Sequence, residues 1–373
     1  MRALLFLAAA TATSALGCAS APKNVPLTDE SGSTPESAGP PVFEAEPVGW
    51  ASVPDLDTPG TTGGAGGPIV TVTTTAELAK QAEGTAPLVI LIDGVVGEGT
   101  RVSIGSNKTV LGLPGAEFHG GLRVNGSSNV IVRNLKIVGN NCNDDPEGCS
   151  SGADAVSIGD NAHHVWFDHC DISDGSDGNL DVNDGADYVT ISWTKFWYSG
   201  RRPGGHQFSN LVGSSDNEPG DVGHLRVTYH HVWWADRVDE RMPRVRYGQV
   251  HIFNSLYTSV GNSYCVGVGH FANILTEANA FYGVQNPIES VSYANDQSVV
   301  LSRDNLYIEA SGYQSDRGTG VFTPPYAYAL DKVGALKSLV ENGAGVCPSR
   351  FSFVPEPVPG CVEAVAPAAA MTP

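Results

Sequence analysis

Three aspartates stand apart by context in a chain where acidic residues are common. Asp154 opens the run D-A-V-S-I, and Asp177 and Asp181 lie four apart in S-D-G-N-L-D. The pair follows Asp154 by 23 and 27 residues. If the chain repeats at about that interval, all three fall on adjacent repeats. Their carboxylates would then form an all-oxygen site, the donor set that suits Ca2+. The bland reading is three unlinked surface acids. The basic residues show a complementary bias. Eight of the 21 Lys and Arg lie between positions 195 and 246: Lys195, Arg201, Arg202, Arg226, Arg237, Arg241, Arg244 and Arg246. A basic patch on an acidic protein can bind a polyanion. For any single arginine, pairing with the surplus carboxylates explains as much. The run R-M-P-R-V-R, Arg241 to Arg246, is harder to dismiss, because Pro243 excludes helix and alternation sets Arg244 and Arg246 on one strand face.

Other chemistry finds less support. The histidines, among them His163-His164, His169, His206, His224 and His230-His231, lack the spacing of a helical zinc motif and read as caps and stacks. No G-x-S-x-G elbow is present. The glycine-rich run Gly60 to Gly67 has no Lys-Ser/Thr ending and precedes a strand pattern, so it reads as a turn and not a phosphate loop.

A repeating strand must position these residues. The pattern apolar-any-apolar-any, closed by Asn or a bulky polar or aromatic residue, ends at positions 134, 169, 193, 231, 254, 279 and 305. The intervals are 35, 24, 38, 23, 25 and 26 residues. A unit near 24 is too short for a four-stranded propeller blade and holds about three short strands, one rung of a parallel β-helix. Rungs stack at roughly 4.8 Å. Like residues then lie above one another, and asparagines can hydrogen-bond along the column. The two long intervals carry inserted loops, one holding Cys142 and Cys149, the other spanning 199–220. Before the repeats, residues 75–83 are expected to form a short helix with Thr75 as N-cap, covering the open end of the stack.

Composition bounds the alternatives. The 373 residues carry a formal charge of −19, which lacks the basic balance of a nucleic-acid binder. Charged residues are 16% and glycines number 44, suiting a β-rich exported chain better than a helical bundle. Residues 1–17 read as a signal peptide, with S-A-L-G-C at 14–18 resembling a bacterial lipoprotein cleavage box and Cys18 as the lipidated residue. Residues 18–48 read as a Pro/Ser/Gly tether, 49–361 as the β-helix domain and 362–373 as a flexible tail. The expected protein is an exported monomer, secreted or anchored in a membrane through Cys18. Beyond Cys18, six cysteines remain, which allows up to three disulfides. Local pairs Cys142–Cys149 and Cys347–Cys361 are expected, with Cys170 and Cys265 left as the third pair.

These motifs resemble the calcium-dependent pectate lyases of the pectate/pectin lyase superfamily over roughly residues 60–310. The matching stretches are T-T-G-G-A-G-G-P, S-N-V-I-V-R-N-L, D-A-V-S-I, H-V-W-F-D-H, D-G-N-L-D, D-Y-V-T-I-S-W, G-H-L-R-V-T-Y-H-H and R-M-P-R-V-R-Y-G-Q-V-H-I-F-N, in the family's order. The resemblance implies an all-β, right-handed parallel β-helix that acts on polygalacturonate by β-elimination. It implies Ca2+ as cofactor, held by Asp154, Asp177 and Asp181. Arg241 is implied as the general base and Arg246 as an arginine that grips substrate carboxylates, with Arg244 and His206 as further substrate-binding candidates. Neighbouring cations would favour the neutral form that an arginine base needs.

One departure stands out. The family often places a substrate-binding lysine where this chain has Phe208. The charge would then come from Arg201, Arg202 or His206, or the preferred polymer would be partly methyl-esterified. A pectin lyase is the nearest alternative, though it has no need of three aspartates. A hydrolase would need paired acid and base carboxylates and gives no reason for the arginine run. A non-catalytic carbohydrate-binding β-helix explains the fold but not Arg241 together with the aspartates.

Overall fold

The computed structural model describes residues 44–140, 154–200, 206–291, 294–295 and 297–346, and the backbone of an antiparallel pair, Phe351–Val354 with Gly360–Glu363. The expected signal segment, most of the tether, the flexible tail, Arg201 and Arg202 lie outside the described residues. So do Cys142, Cys149, Cys347 and the side chain of Cys361.

Each rung contributes three short parallel strands, and the rungs stack into a right-handed parallel β-helix. Sheet A holds ten strands, from Ile69–Val72 through Ser128–Arg133, His163–Asp168, Asp187–Ser192 and Val227–His230 to Val299–Arg303. Sheet B runs through Lys136–Val138, Asp171–Ser173, Lys195–Trp197 and Trp233–Trp234 to Leu306–Ile308. Sheet C runs through Val156–Gly159, Leu180–Val182, Leu211–Val212, Arg244–Val245 and Val266–Val268 to Ile288–Ser290. Sheets B and C join through one long strand, Glu117–Asn125, whose first half pairs with Lys136–Val138 and second half with Val156–Gly159.

The period-2 pattern explains the core. Val130, Val165, Val189, Val227, Val250 and Ile274 align in register on sheet A, each fully buried. On sheet B the inward column is aromatic: Phe196, Trp234, Tyr257, Phe281 and Tyr307 stack with centroids 4.2–6.2 Å apart. Each such side chain removed from water contributes about 1.5–3 kcal/mol, so the repeat length is held by packing on every rung.

The residues that close the repeat are left-handed corners between sheets A and B. Asn134, His169, Trp193, His231 and Asn254 have φ of 52°, 48°, 45°, 53° and 49°. That conformation favours asparagine and excludes β-branched residues. In this column the described residues show the expected asparagine ladder near the far end, where the Asn279 amide donates to Asn305 Oδ1 at 3.0 Å. In the middle the column is a ring stack, His169 on Trp193 at 5.6 Å and Trp193 on His231 at 4.0 Å. His169 and His231 thus serve as stacks, as expected for histidines at strand ends.

Two local expectations are corrected. The first helix, α1 (Thr75–Ala82), is capped by Thr74 and not Thr75. Thr74 and Glu77 form a reciprocal capping box, whereas the Thr75 hydroxyl accepts from Gly97 N at 2.9 Å. Leu78 and Ala82 are fully buried in the main core, so α1 covers the end as expected. Cys170 and Cys265 form no disulfide: each is a buried free thiol. Cys170 Sγ points to the carbonyls of Val132 and Asp168, while Cys265 Sγ lies by Asn262 and Gln285, on a different part of the stack.

The parallel stack ends at Ile308. Beyond it the chain returns along the outside of sheet A, where Tyr328 packs against His251 and Phe253 and Phe322 stacks on Trp50 at 5.8 Å. A second helix, α2 (Leu336–Gly343), buries Leu336 and Val340 with Leu256 and Ala280. Trp50, in the segment leading into the fold, bonds through its backbone N–H to Thr228 Oγ1 at 3.0 Å. The returning chain and Trp50 thus cover the outer face of sheet A, and α2 covers part of sheet B. The arginines and aspartates gather on sheet C.

Candidate active site

The outward positions of sheet C make a single row across neighbouring rungs. Arg123 pairs with Ser157, Ser157 with Asp181, Leu211 with Arg244, Arg244 with Gly267 and Gly267 with Glu289. The Leu211 N–H donates to Asp181 Oδ1 at 2.9 Å, which joins the two halves of the row. Their inward neighbours Ile158, Val182, Val212, Val245 and Val268 are buried in the core. Strand alternation therefore forces the polar set outward.

Asp154 and Asp181 converge. A β-carbon built on Gly178 would lie 2.8 Å from Asp181 Oδ1 and 3.0 Å from Asp154 Oδ1. Any side chain there would fill the space between the two carboxylates, which is why a glycine stands at 178. Asp154 Oδ1 is buried without a hydrogen-bond partner. Burial first, and then the charges of Asp181 and Asp177, push the Asp154 carboxyl far above the carboxylate range. Burial, with Asp177, likewise raises Asp181, although Arg241, the Leu211 N–H and Arg244 oppose the rise. Two like charges facing an orphaned oxygen fit a bound cation, and hard oxygen donors fit Ca2+.

Asp177 is arranged differently. Its side chain is 47% exposed, and its Oδ1 lies 3.1 Å from His206 Nε2. Among the described residues, no three His, Cys, Asp or Glu side chains close into a metal cage by themselves. The three aspartates expected as ligands are thus two convergent carboxylates and a third that acts on them through its charge.

The arginine run divides as well. Arg241 sits in the left-handed region at φ 64°. Its guanidinium carbon lies 4.0 Å from the centroid of the Phe208 ring, and its Nε is buried without a hydrogen-bond partner. The residue in the place of the family lysine is therefore the platform on which Arg241 rests. Phe208 is fixed from both sides: its carbonyl accepts from the Tyr198 hydroxyl at 2.6 Å, and its backbone bridges to Glu240. Arg244 lies outward in the row, with room made by Gly267. Arg246 is only 6% exposed. Its Nε donates to Asp216 Oδ1 at 2.6 Å and its Nη1 to the Gly213 carbonyl at 2.9 Å. A substrate carboxylate at Arg246 must share it with Asp216.

Of the other described basic residues of the 195–246 segment, only Arg226 pairs with a carboxylate, and the other two are held by a ring and by carbonyls. Lys195 lies over Trp233, Arg226 pairs with Asp187, and Arg237 donates to the carbonyls of Tyr198 and Ser199. Sequence reasoning missed the roles of Gly178 and Asp216 and the Arg241–Phe208 contact. The contact was hidden because Phe208 and Arg241 meet only through the stacking of two rungs.

A sequence profile described as pectate lyase matches residues 37–349. The chain belongs to the pectate lyase family. A pectate trisaccharide-lyase of Thermotoga maritima is 41% identical over 219 residues, 57% of each chain, so this chain spans little more than half that relative's length. A pectate lyase of Emericella nidulans is 33% identical over 317 residues, covering 81% of this chain and 89% of that one. Among solved structures, a Bacillus sp. N165 pectate lyase in complex with trigalacturonate superposes with a TM-score of 0.63 at 24% identity, over 80% of this chain and 98% of that one. The major allergen from cedar pollen superposes with a TM-score of 0.64 at 26% identity, over 80% and 93%.

Proposed function

We propose that this protein is a pectate lyase that cleaves α-1,4-linked polygalacturonate by β-elimination. The observation that carries the reading is the position of Arg241. It rests on Phe208, and its charge acts on both Asp154 and Asp181, which supports base and cation-binding carboxylates working on one substrate residue. Arg241 takes the proton from C5 of the uronate. The C5–H electron pair forms the C4–C5 double bond, the C4–O4 bond breaks, and O4 leaves to be protonated by water. The products are a new chain end and a 4,5-unsaturated one. Arg244, beside Arg241 and outward-facing, holds a substrate carboxylate and, as a like charge, favours the neutral form of the base. Arg246 contributes where substrate displaces Asp216.

Asp154 and Asp181, with Asp177 completing the set, would hold Ca2+, which supplies Lewis-acid stabilisation of the charge that develops on the substrate carboxylate. His206, 3.1 Å from Asp177, orients that third ligand. The test is the ultraviolet absorbance of the unsaturated product from polygalacturonate, with and without chelator. Release of saturated ends would mark a hydrolase, and binding without cleavage would mark a non-catalytic β-helix. The apolar ring of Phe208 beside Arg241 favours a second substrate, partly methyl-esterified polymer. The protein acts outside the cell, tethered through residues 18–48. If Cys18 is lipidated, the wild type partitions into detergent and Cys18→Ser moves to the soluble fraction.

A further inference from the structure

Upstream of Asp181, sheet C carries two arginines that the reaction does not use, Arg123 in the same row and Arg101 two residues to its side, paired with Gly121. Arg123 faces outward, two strands above Asp181 by way of Ser157. At the strand spacing that is roughly 10 Å. Arg101, one strand further up, is exposed. Its stem crosses Gly121, whose β-carbon would lie 3.2 Å from Arg101 Cγ. Neither guanidinium has an ion-pair or hydrogen-bond partner among the described residues. The Arg101 charge reaches Asp154 without forming an ion pair. On a chain with 40 acidic and 21 basic residues, two adjacent arginines with no ion pair among the described residues need a reason. Together they line a cavity of about 260 Å³ that reaches Asp154 at one end and is floored by the polar side chains of Asn125, Ser157 and Asn183. Asp184 stands exposed at its rim, beyond ion-pair distance of either arginine.

We propose that Arg101 and Arg123 form a second carboxylate-binding subsite, which holds a uronate of the same polymer one strand above Asp154 and two above Asp181. This rests on the pectate-lyase reading. The polymer carries a carboxylate on every unesterified residue. A chain lying along the row meets cations at both ends, Arg101 and Arg123 above and Arg241 and Arg244 below, with the aspartates between. A planar guanidinium matches a carboxylate through two parallel N–H bonds. The subsite sets a chain-length preference, because only a long oligomer can occupy both ends at once.

The test is the double variant Arg101→Gln/Arg123→Gln, assayed on size-graded oligogalacturonates, polygalacturonate and its fully methyl-esterified form. Among the described residues neither arginine makes an ion pair or hydrogen bond, so the melting temperature should stay near the wild type; loss of the Arg101 charge that acts on Asp154 should leave the rise with Ca2+ no smaller than in the wild type. KM on polymer and long oligomers should rise at least about tenfold, with kcat nearly unchanged, since each lost hydrogen bond is to a charged group. The shortest oligomers cleaved should change less than about twofold by the same reasoning. An unchanged KM on the polymer overturns the proposal. So does an equal rise at every length, or an equal effect on methyl-esterified polymer. If the wild type forms no unsaturated product at all, the lyase reading fails. The subsite is then judged by electrophoresis through polygalacturonate-loaded gels in chelator, where the wild type must be retarded and the double variant not. Equal mobility refutes the subsite.

Discussion

Arg241→Lys separates a base from a structural arginine. Lysine keeps the positive charge, so the electrostatic relief that Arg241 gives Asp154 and Asp181 is retained. It also keeps the left-handed backbone at φ 64°, a strain of about 1–2 kcal/mol in either residue. What it loses is the planar fork and its stacking over the Phe208 ring, seated at 4.0 Å. An ammonium can still lie over that ring, so the stability cost is about 1 kcal/mol or less. For a chain of this size that is a fall in Tm of about 2–4 °C. Turnover should respond far more. Loss of a general base costs at least about a hundredfold, near 2.7 kcal/mol of transition-state stabilisation. KM should move little, because Arg244 and the aspartates remain. Arg241→Gly adds a control, since it relieves the backbone strain while removing the guanidinium. The strain relief and the lost ring contact are each about 1 kcal/mol and offset, but the Gly variant also loses the charge that relieves Asp154 and Asp181, so it should melt below the Lys variant while turnover disappears. The assay is initial rates of unsaturated-product formation together with thermal melts of the same preparations. A folded Arg241→Lys protein with near-normal kcat would refute the reasoning, as would a Gly variant that melts far below the wild type yet turns over normally.

Gly178→Ala should abolish the rise in Tm on adding Ca2+, because its methyl group would sit 2.8 and 3.0 Å from the two aspartate oxygens. The wild type should gain about 2.7 kcal/mol at a hundredfold excess over Kd, with no such gain from Mg2+; an undiminished calcium shift in the variant would place the ion elsewhere. Glu44 supplies a pH test, since burial, and after it the Asp168 charge, push its carboxyl from 4.5 up to about 8. Between those values the folded state holds a proton that the unfolded chain releases, so this contribution is present below pH 4.5 and lost as pH rises towards 8. Glu44→Gln should therefore match the wild type near pH 4 and be the more stable by a few kcal/mol near pH 8.5, and a difference in Tm that does not vary with pH counts against it. Phe208→Lys should shift the kcat/KM ratio towards unesterified polymer about tenfold, one charge-assisted contact's worth; an unchanged ratio would mean that the ring's apolar character has no part in substrate choice.

Spacing alone carried much of the architecture. Intervals near 24 residues, with alternation inside each unit, fix three strands per rung, because that length brings Val165 to Val189, and Val227 to Val250 and Ile274, in one inward column. Asp154 and Asp181 were legible for the same reason, since they lie close to one repeat apart and one repeat is one strand spacing. The arginine run was legible from composition bias and Pro243. Where insertions interrupt the period, this legibility fails. Arg123 belongs to the row of Asp181, but the insertion after Asn134 disguises the register between them. The 199–220 insertion likewise hides that Phe208 returns to lie under Arg241.

The cysteines show another limit. An even count permits a Cys170–Cys265 bridge, yet the fold buries each thiol separately against backbone carbonyls. Pairing depends on distance in space, and a count carries no distance. The sequence by itself determined the repeat, the inward columns and which residue types reach sheet C, because those follow from the strand period and the cost of burying polar groups. Only the tertiary structure decided which of the outward charges are free to act. It ties Arg246 to Asp216, turns Asp177 towards His206, seats Arg241 on Phe208 and, among the described residues, leaves Arg101 and Arg123 without an ion pair or hydrogen bond. Those outcomes depend on side-chain contacts between residues many positions apart, whose distances are set when the rungs stack.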